Sequence, residues 1–254
     1  MADEKLLLVE DNPTYLENAL RILPSEGLIV ARNYEEAKSK IGSSDLVISD
    51  LFYRENGFGS SEEIGRIALE RIKYGFVKSF VDIMNAGLVS RGLKPSERLE
   101  RCFYVLGLAL RKSNRTQLEN AGSRILDYLR IAGDKGPEKL EEMIRNHTIW
   151  DGRWQRNLEE SLDEEMAPLK AFMNESPDNY PLGYLVCEEA ESLGKPSVLV
   201  TSLRHSHGAV GPVIVSAHRR GWKVLEGGDV NKDNPEYWRK AFNLLKGGER
   251  ENGK

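Results

Sequence analysis

Residues 45–50 read DLVISD, and residues 5–11 read KLLLVED, two short apolar runs that each end in carboxylates. Continuous apolar runs of this length are typical of parallel strands that are buried on both faces. In open α/β sheets, ligands bind at the edge formed by the carboxyl ends of the strands. The sequence therefore predicts that Glu10, Asp11 and Asp50 lie together at that edge.

Three carboxylates in one place have a chemical consequence. They repel one another, so a divalent cation is the natural counter-charge. One of the acids can then act as a nucleophile. A single acid at a strand end more often only caps a neighbouring helix, and this simpler interpretation stays open for each acid taken alone.

The composition is that of an ordinary globular protein. With 254 residues, of which 40% are hydrophobic, the chain can bury a substantial core. A net charge of -4 gives no overall attraction to nucleic acid or to anionic membranes. Cys102 and Cys187 stand far apart, without the spacing of a zinc site, and are expected to be reduced, buried thiols.

The start of the chain and its hydropathy predict a location. Residues 1–4 read MADE, and the apolar run that follows is too short for a signal peptide. No segment approaches the roughly 20 apolar residues of a membrane span. We therefore expect a cytoplasmic protein that does not contact a membrane.

The two outer parts of the chain alternate between strand and helix patterns. Asn12-Pro13, Asn33 and Asn234-Pro235 are typical helix starts. Strands are predicted at residues 5–11, 28–31, 45–50, 197–201 and 222–225. Together these segments form five βα units, which indicates a doubly wound α/β sheet.

The middle of the chain is different, because its apolar residues recur at three- and four-residue intervals. Five helices are predicted there, with Pro168 kinking or splitting the fifth. The predicted organisation is an α/β domain of residues 1–59 plus 178–246, interrupted after its third strand by an all-helical insertion of residues 60–177. Residues 247–254 are expected to be a disordered tail.

The outer segments resemble the receiver domains of two-component response regulators. Glu10-Asp11 looks like that family's acidic pair, and Asp50 looks like its phosphoacceptor. Thr201, which is followed by the small Ser202, is similar to the family's hydroxyl residue at the end of the fourth strand. The likeness covers both outer segments in the correct order.

This resemblance implies a flavodoxin-like, five-stranded parallel sheet of order 2-1-3-4-5. It implies Mg²⁺ held by Asp11, Asp50 and the backbone carbonyl of Phe52, with Glu10 acting mainly through a water. Asp50 would accept a phosphoryl group from a histidine kinase or phosphotransfer protein, and Thr201 would hydrogen-bond that group. Such a protein is not an enzyme beyond its own phosphorylation and dephosphorylation.

Two features depart from the family pattern. The family has a lysine, usually followed by proline, at the end of its fifth strand, whereas residues 224–228 read VLEGG. Lys232 could reach in from the following loop, while Lys223 lies too early in the strand. The insertion also falls directly after the phosphoacceptor strand, so we expect it to transmit the phosphorylated state to a downstream protein partner.

Two alternative functions remain open. The missing Lys-Pro pair is compatible with a pseudo-receiver, a binding or scaffold module that keeps the fold without phosphotransfer. A metal-dependent phosphohydrolase could use the same acidic edge. Residues 50–52 read DLF, which is not the DxD of one phosphotransfer signature, and no GxxxxGK[ST] loop is present.

The remaining motifs favour structural roles. His205 and His207 form an HxH pair beside Thr201, but no third ligand is evident, so polar loop residues are expected. Basic residues dominate from Arg91 to Arg115 and acidic residues from 151 to 175. We expect these segments to face one another or solvent rather than nucleic acid. Trp150 and Trp154, beside arginines, could instead anchor a protein partner.

Overall fold

The sheet has five strands, all parallel to their neighbours. The computed structural model describes residues 4–53, 61–94, 96–113, 115–146, 152–175, 180–204, 207–228 and 230–247. The strands are β1 (Leu6–Val9), β2 (Leu28–Ala31), β3 (Leu46–Asp50), β4 (Ser197–Val200) and β5 (Lys223–Leu225). Their order in the sheet is β2-β1-β3-β4-β5. This confirms the predicted flavodoxin-like α/β fold, with helices inserted after the third strand.

Ten α-helices lie in the described part of the chain. They are α1 (Pro13–Leu20), α2 (Tyr34–Ile41), α3 (Ser61–Ser90), α4 (Glu97–Ala109), α5 (Arg115–Ala132), α6 (Gly136–Asn146), α7 (Gly152–Glu175), α8 (Leu182–Ser192), α9 (Gly211–Arg219) and α10 (Pro235–Leu245). A 3-10 turn, Gly133–Lys135, separates α5 from α6. None of these helices combines the length and the apolar character that a membrane crossing requires.

Asparagine caps begin the helices next to the candidate site. The Asn12 side chain accepts hydrogen bonds from the backbone N–H groups of Thr14 and Tyr15. Asn234 caps α10 in the same way, with Pro235 at the first helical position. These contacts satisfy N–H groups that have no partner within the helix, which confirms the predicted helix starts.

The strands β1 and β3 are buried because helices cover both faces of the sheet. Leu8 and Ile48 pack on one face with Trp238 of α10, and Leu7 and Val47 pack on the other with residues of α8. Burying each large apolar side chain contributes about 1.5–3 kcal/mol. Because neither face is open to water, the strands need no polar alternation, which explains their unbroken apolar sequences.

The chain forms two compact units, Met1–Ile72 with Ala167–Lys254, and Lys73–Met166. The divisions fall inside α3 and α7 rather than between helices. Helix α7 also continues through Pro168, so of the two predicted effects of this proline the split does not occur, and a kink stays a prediction. Leu169 and Met173, in the part of α7 that follows the proline, are buried. Their packing offsets the hydrogen bond that proline removes.

In the second unit, Arg111 of the basic segment contacts Glu165 of the acidic segment, as the charge pattern predicted. Arg111 is buried, and its guanidinium lies 2.9 Å from Glu165 and 2.7 Å from the Ser161 hydroxyl. Lys73 lies 2.7 Å from Asp163. These basic side chains are therefore engaged inside the unit. Trp150 and the side chain of Trp154 lie outside the described part of the chain, so the predicted partner contact stays a prediction.

Gly183 brings the start of α8 against the end of β3. Its N–H donates to the carbonyl of Leu51 at 3.1 Å. A Cβ atom at this position would lie 1.8 Å from the Asp50 carbonyl oxygen. Only glycine permits this approach of two backbones, so the chain returns from the inserted helices directly beside the strand that carries Asp50.

Replacing Gly183 therefore tests this contact. We expect Gly183→Ala to lower the free energy of unfolding by about 2 kcal/mol or more, because the added methyl group would force one of the two backbones to move. Urea unfolding measures the loss. Gly42→Ala is the matched control, since a Cβ there meets nothing within 4 Å and φ is -58°. Equal stabilities of the two variants would contradict the close approach.

Candidate functional site: an acidic cluster bridged by Lys232

The structure brings together the three acids that the sequence placed at one edge. Asp50 ends β3, and Glu10 and Asp11 follow β1, its neighbour in the sheet. One oxygen from each carboxylate lies within 4.8 Å of the others. The parallel pairing of β1 with β3 places both strand ends at the same level, which explains the cluster.

The three acids differ in exposure and in their hydrogen bonds. Glu10 is fully buried, Asp50 is 7% exposed and Asp11 is half-buried. Glu10 Oε1 accepts from the Asn12 N–H at 3.0 Å, and Asp50 Oδ1 accepts from the Leu51 N–H at 2.7 Å. Each buried acid thus has one oxygen fixed by its own chain. Its second oxygen faces a side chain from another loop.

That side chain is Lys232, which lies between Glu10 and Asp50. Its Nζ is 2.6 Å from Glu10 Oε2 and 2.6 Å from Asp50 Oδ2, and its side chain is only 1% exposed. The Tyr15 ring lies 4.9 Å from the ammonium, and the Trp238 indole N–H donates to the Lys232 carbonyl at 3.0 Å. A lysine from the loop after β5 therefore bridges two of the three acids, although none stands at the end of that strand.

These contacts determine the charges of the site. Burial raises the pKa of Glu10 to about 8, and the nearby Asp50 adds to the rise while Lys232 opposes it. Burial likewise raises the pKa of Asp50 against the opposing effect of Lys232. Burial alone would lower the pKa of Lys232, but the two carboxylates outweigh it and raise that pKa. Lys232 thus stays charged at neutral pH.

Thr201 lies one position beyond Val200, the residue of β4 that pairs with Asp50. It is 1% exposed, and its Oγ1 accepts from the Leu203 N–H at 3.1 Å. Because that bond uses a lone pair of the oxygen, the hydroxyl proton is available to another acceptor. The predicted hydroxyl residue is therefore at the same edge of the sheet as the acids.

An aromatic contact joins the loops after β3 and β4 to helix α7. The Phe172 ring of α7 lies 5.2 Å from the Phe52 ring and 5.4 Å from the His207 ring. His207 thus packs edge-on against an aromatic ring, while His205 lies outside the described residues. The role of the Phe52 carbonyl as a metal ligand stays a prediction.

The donor set fits a hard divalent cation. Mg²⁺ and Ca²⁺ prefer oxygen ligands, and carboxylate oxygens are among the most common. Lys232 supplies one positive charge to a cluster of three carboxyl groups, so the cluster can accept further positive charge once Glu10 has lost its proton. Glu10, Asp11 and Asp50 are therefore the residues that could hold Mg²⁺.

Sequence reasoning missed the residues that support Lys232 and Thr201. Tyr237 and Trp238 lie in the last helix and Tyr15 in the first, where a sequence pattern alone indicates only apolar packing. The sequence did contain a signal for these roles. Both helices begin at the carboxyl edge of the sheet, where a Tyr hydroxyl or a Trp indole N–H can reach the backbone of the loops.

The comparisons with known proteins add nothing to this geometry. No protein-family model, no curated protein and no solved structure matches the chain.

The role of Lys232 predicts a pH-dependent loss of stability in Lys232→Met. Without the ammonium, Glu10 and Asp50 stay buried only if they take up protons, so their pKa values rise further. A raised acid pKa contributes stability that is present at low pH and lost as the pH rises. We expect the variant to be destabilised by about 3–5 kcal/mol near pH 8 and by less near pH 5.

Urea unfolding at both pH values measures this difference. Lys38→Met is the control, because Lys38 is exposed on α2 and its loss should change stability by no more than about 0.5 kcal/mol. If the loss of unfolding free energy in Lys232→Met does not grow with pH, Lys232 does not neutralise the two acids.

Proposed function

We propose that this protein is a receiver-like component of a phosphorelay, in which Asp50 accepts a phosphoryl group with Mg²⁺ held by Glu10, Asp11 and Asp50. The observation that carries the proposal is the contact of Lys232 with Asp50 at the end of the central strand. A buried acid, two acidic neighbours, a lysine and a hydroxyl residue then meet at the ligand-binding edge of a 2-1-3-4-5 sheet.

Asp50 is the acid best placed to react. One of its oxygens forms the new bond to phosphorus while the bond between phosphorus and the donor's leaving atom breaks. The leaving atom keeps the electron pair and takes a proton from solvent. The Leu51 N–H and the Lys232 ammonium hold the carboxylate during this exchange. When bound, Mg²⁺ would neutralise charge on the phosphoryl oxygens.

Lys232 and Thr201 supply donors to the transferred group. An ammonium has three N–H donors, and two of those of Lys232 are accounted for by Glu10 and Asp50. Lys232 can therefore donate to a phosphoryl oxygen while it still holds Glu10. The Thr201 hydroxyl can donate from the neighbouring strand end. Donors fixed in advance at such positions stabilise the developing charge.

The donor and the reader of the signal are part of the proposal. A histidine kinase or phosphotransfer protein would supply the phosphoryl group, as the resemblance implies. The inserted helices would carry the state to a protein partner. This part is supported by Phe172 of α7, which contacts Phe52, the second residue after Asp50.

A pseudo-receiver is the second candidate, and one observation favours it. Lys232 already supplies a counter-charge to Glu10 and Asp50, so the buried acids are compensated by the chain itself. A fold of this kind could serve as a binding module without metal or phosphate. The two candidates differ in whether Asp50 reacts.

Phosphorylation of the full chain separates them. With Mg²⁺ and acetyl phosphate, we expect intact-mass spectrometry to show the addition of one phosphoryl group, and Asp50→Asn to abolish it. Asp45→Asn is the matched control, because Asp45 precedes the same strand at its opposite end and binds the Lys5 N–H at 2.8 Å. No mass increase in the wild type, or an equal increase in Asp50→Asn, would contradict the proposal.

Mg²⁺ binding should depend on pH. Because the pKa of Glu10 is about 8, a cation that binds the cluster must displace its proton over most of the neutral range. Calorimetry should therefore show affinity that rises by up to about tenfold per pH unit below about pH 8, with proton release. Glu10→Gln should flatten this dependence. A pH-independent affinity in the wild type would exclude Glu10 from the metal site.

A further inference from the structure

Tyr237 lies in the first turn of α10, against the ends of β4 and β5. Its side chain is 1% exposed and belongs to the core cluster that includes Val200 and Trp238. A phenolic hydroxyl at this depth needs hydrogen-bond partners inside the protein. Those partners are backbone groups at the ends of β4 and β5, so Tyr237 does more than fill the core.

Three backbone groups surround the Tyr237 hydroxyl. The Thr201 N–H donates to it at 3.0 Å. The carbonyl oxygens of Thr201 and Leu225 lie 2.9 Å and 2.7 Å from it. A hydroxyl has one proton and two lone pairs, so it accepts from Thr201 while it donates to one of the two carbonyls at a time.

The hydroxyl acts at the point where the sheet ends. Val200 pairs with Leu225, the last residue of β5, and Thr201 is the first residue beyond β4. Both the N–H and the C=O of Thr201 thus contact the same tyrosine oxygen. The Thr201 N–H also donates to the Leu225 carbonyl at 3.0 Å, so the backbone that carries the Thr201 side chain is held by the end of the sheet and by the Tyr237 hydroxyl together.

We propose that Tyr237 is a positioning residue for phosphoryl transfer at Asp50, and that it acts by holding Thr201 rather than by touching the phosphoryl group. The inference rests on the function proposed above. Its physical basis is that a donor to a reacting group must be placed within a fraction of an ångström, and a shift of about 1 Å can cost up to about a hundredfold in rate.

The test compares Tyr237→Phe, Thr201→Val, the double variant and the wild type as full chains. Initial rates of Asp50 phosphorylation are measured at varied acetyl phosphate and varied Mg²⁺, at a temperature where circular dichroism shows each chain to be folded. Tyr184→Phe is the matched control. Tyr184 is also fully buried, and its hydroxyl lies 2.7 Å from the Ser216 hydroxyl in α9.

We expect Tyr237→Phe to lower the maximal rate about tenfold, while the Mg²⁺ concentration for half-maximal rate stays unchanged because Thr201 is not one of the three acids. Tyr184→Phe should react like the wild type. In the Thr201→Val background, Tyr237→Phe should have no further effect, because the group that it positions is already gone.

Each other result overturns the inference. An unchanged rate in Tyr237→Phe, or a loss that multiplies with that of Thr201→Val, would show that Tyr237 does not act through Thr201. An equal loss of maximal rate in Tyr184→Phe would indicate general damage to packing. So would a rise in the Mg²⁺ concentration that Tyr237→Phe needs for half-maximal rate. A wild type that takes up no phosphate would reject the proposed function and this inference together, whereas the other failures leave the wild type reactive.

Discussion

The contact of Lys232 with Glu10 and Asp50 is the constraint on which the site depends. Two buried carboxylates at adjacent strand ends cannot both stay ionised without a positive charge close by. The chain supplies that charge from the loop between β5 and α10, so this loop has to return across the edge of the sheet. The ion cluster therefore fixes the path of the loop as well as the charge of the site.

The aromatic residues around this cluster follow from the same constraint. A lysine loses its hydration when it is buried, and part of that loss is offset by ring faces and by fixed backbone. Tyr15 lies beside the ammonium, and Trp238 holds the Lys232 carbonyl. Trp238 is an apolar core residue, yet its indole N–H can still donate to a backbone carbonyl of the loop. The apolar core therefore extends up to the charged Lys232 while that carbonyl keeps a hydrogen-bond partner.

The sequence was sufficient for the sheet order and for the acidic cluster. Apolar runs that end in carboxylates mark both the buried strands and the edge where they terminate, so topology alone brings Glu10 and Asp50 together. The position of Lys232 followed no such rule, because a glycine-containing loop has no periodicity that fixes the direction of a side chain. From the sequence, Tyr237 indicates only an apolar position of the last helix. The hydrogen bonds of its hydroxyl could not be predicted, because they depend on the packing of α10 beneath the ends of β4 and β5.

The hydrogen bond between Gly183 and Leu51 has a consequence for how the helical segment is joined to the sheet. Because the chain departs after Tyr53 and returns at Gly183, the ends of the segment meet, as the ends of tolerated domain insertions do. If the segment were removed, a turn of a few residues could connect its two ends. However, Ala68 of α3 is fully buried in the same cluster as Leu182, and Ile64 packs against it. The start of α3 is therefore part of the core of the sheet domain, and simple excision of the inserted helices would expose apolar residues that pack against the sheet.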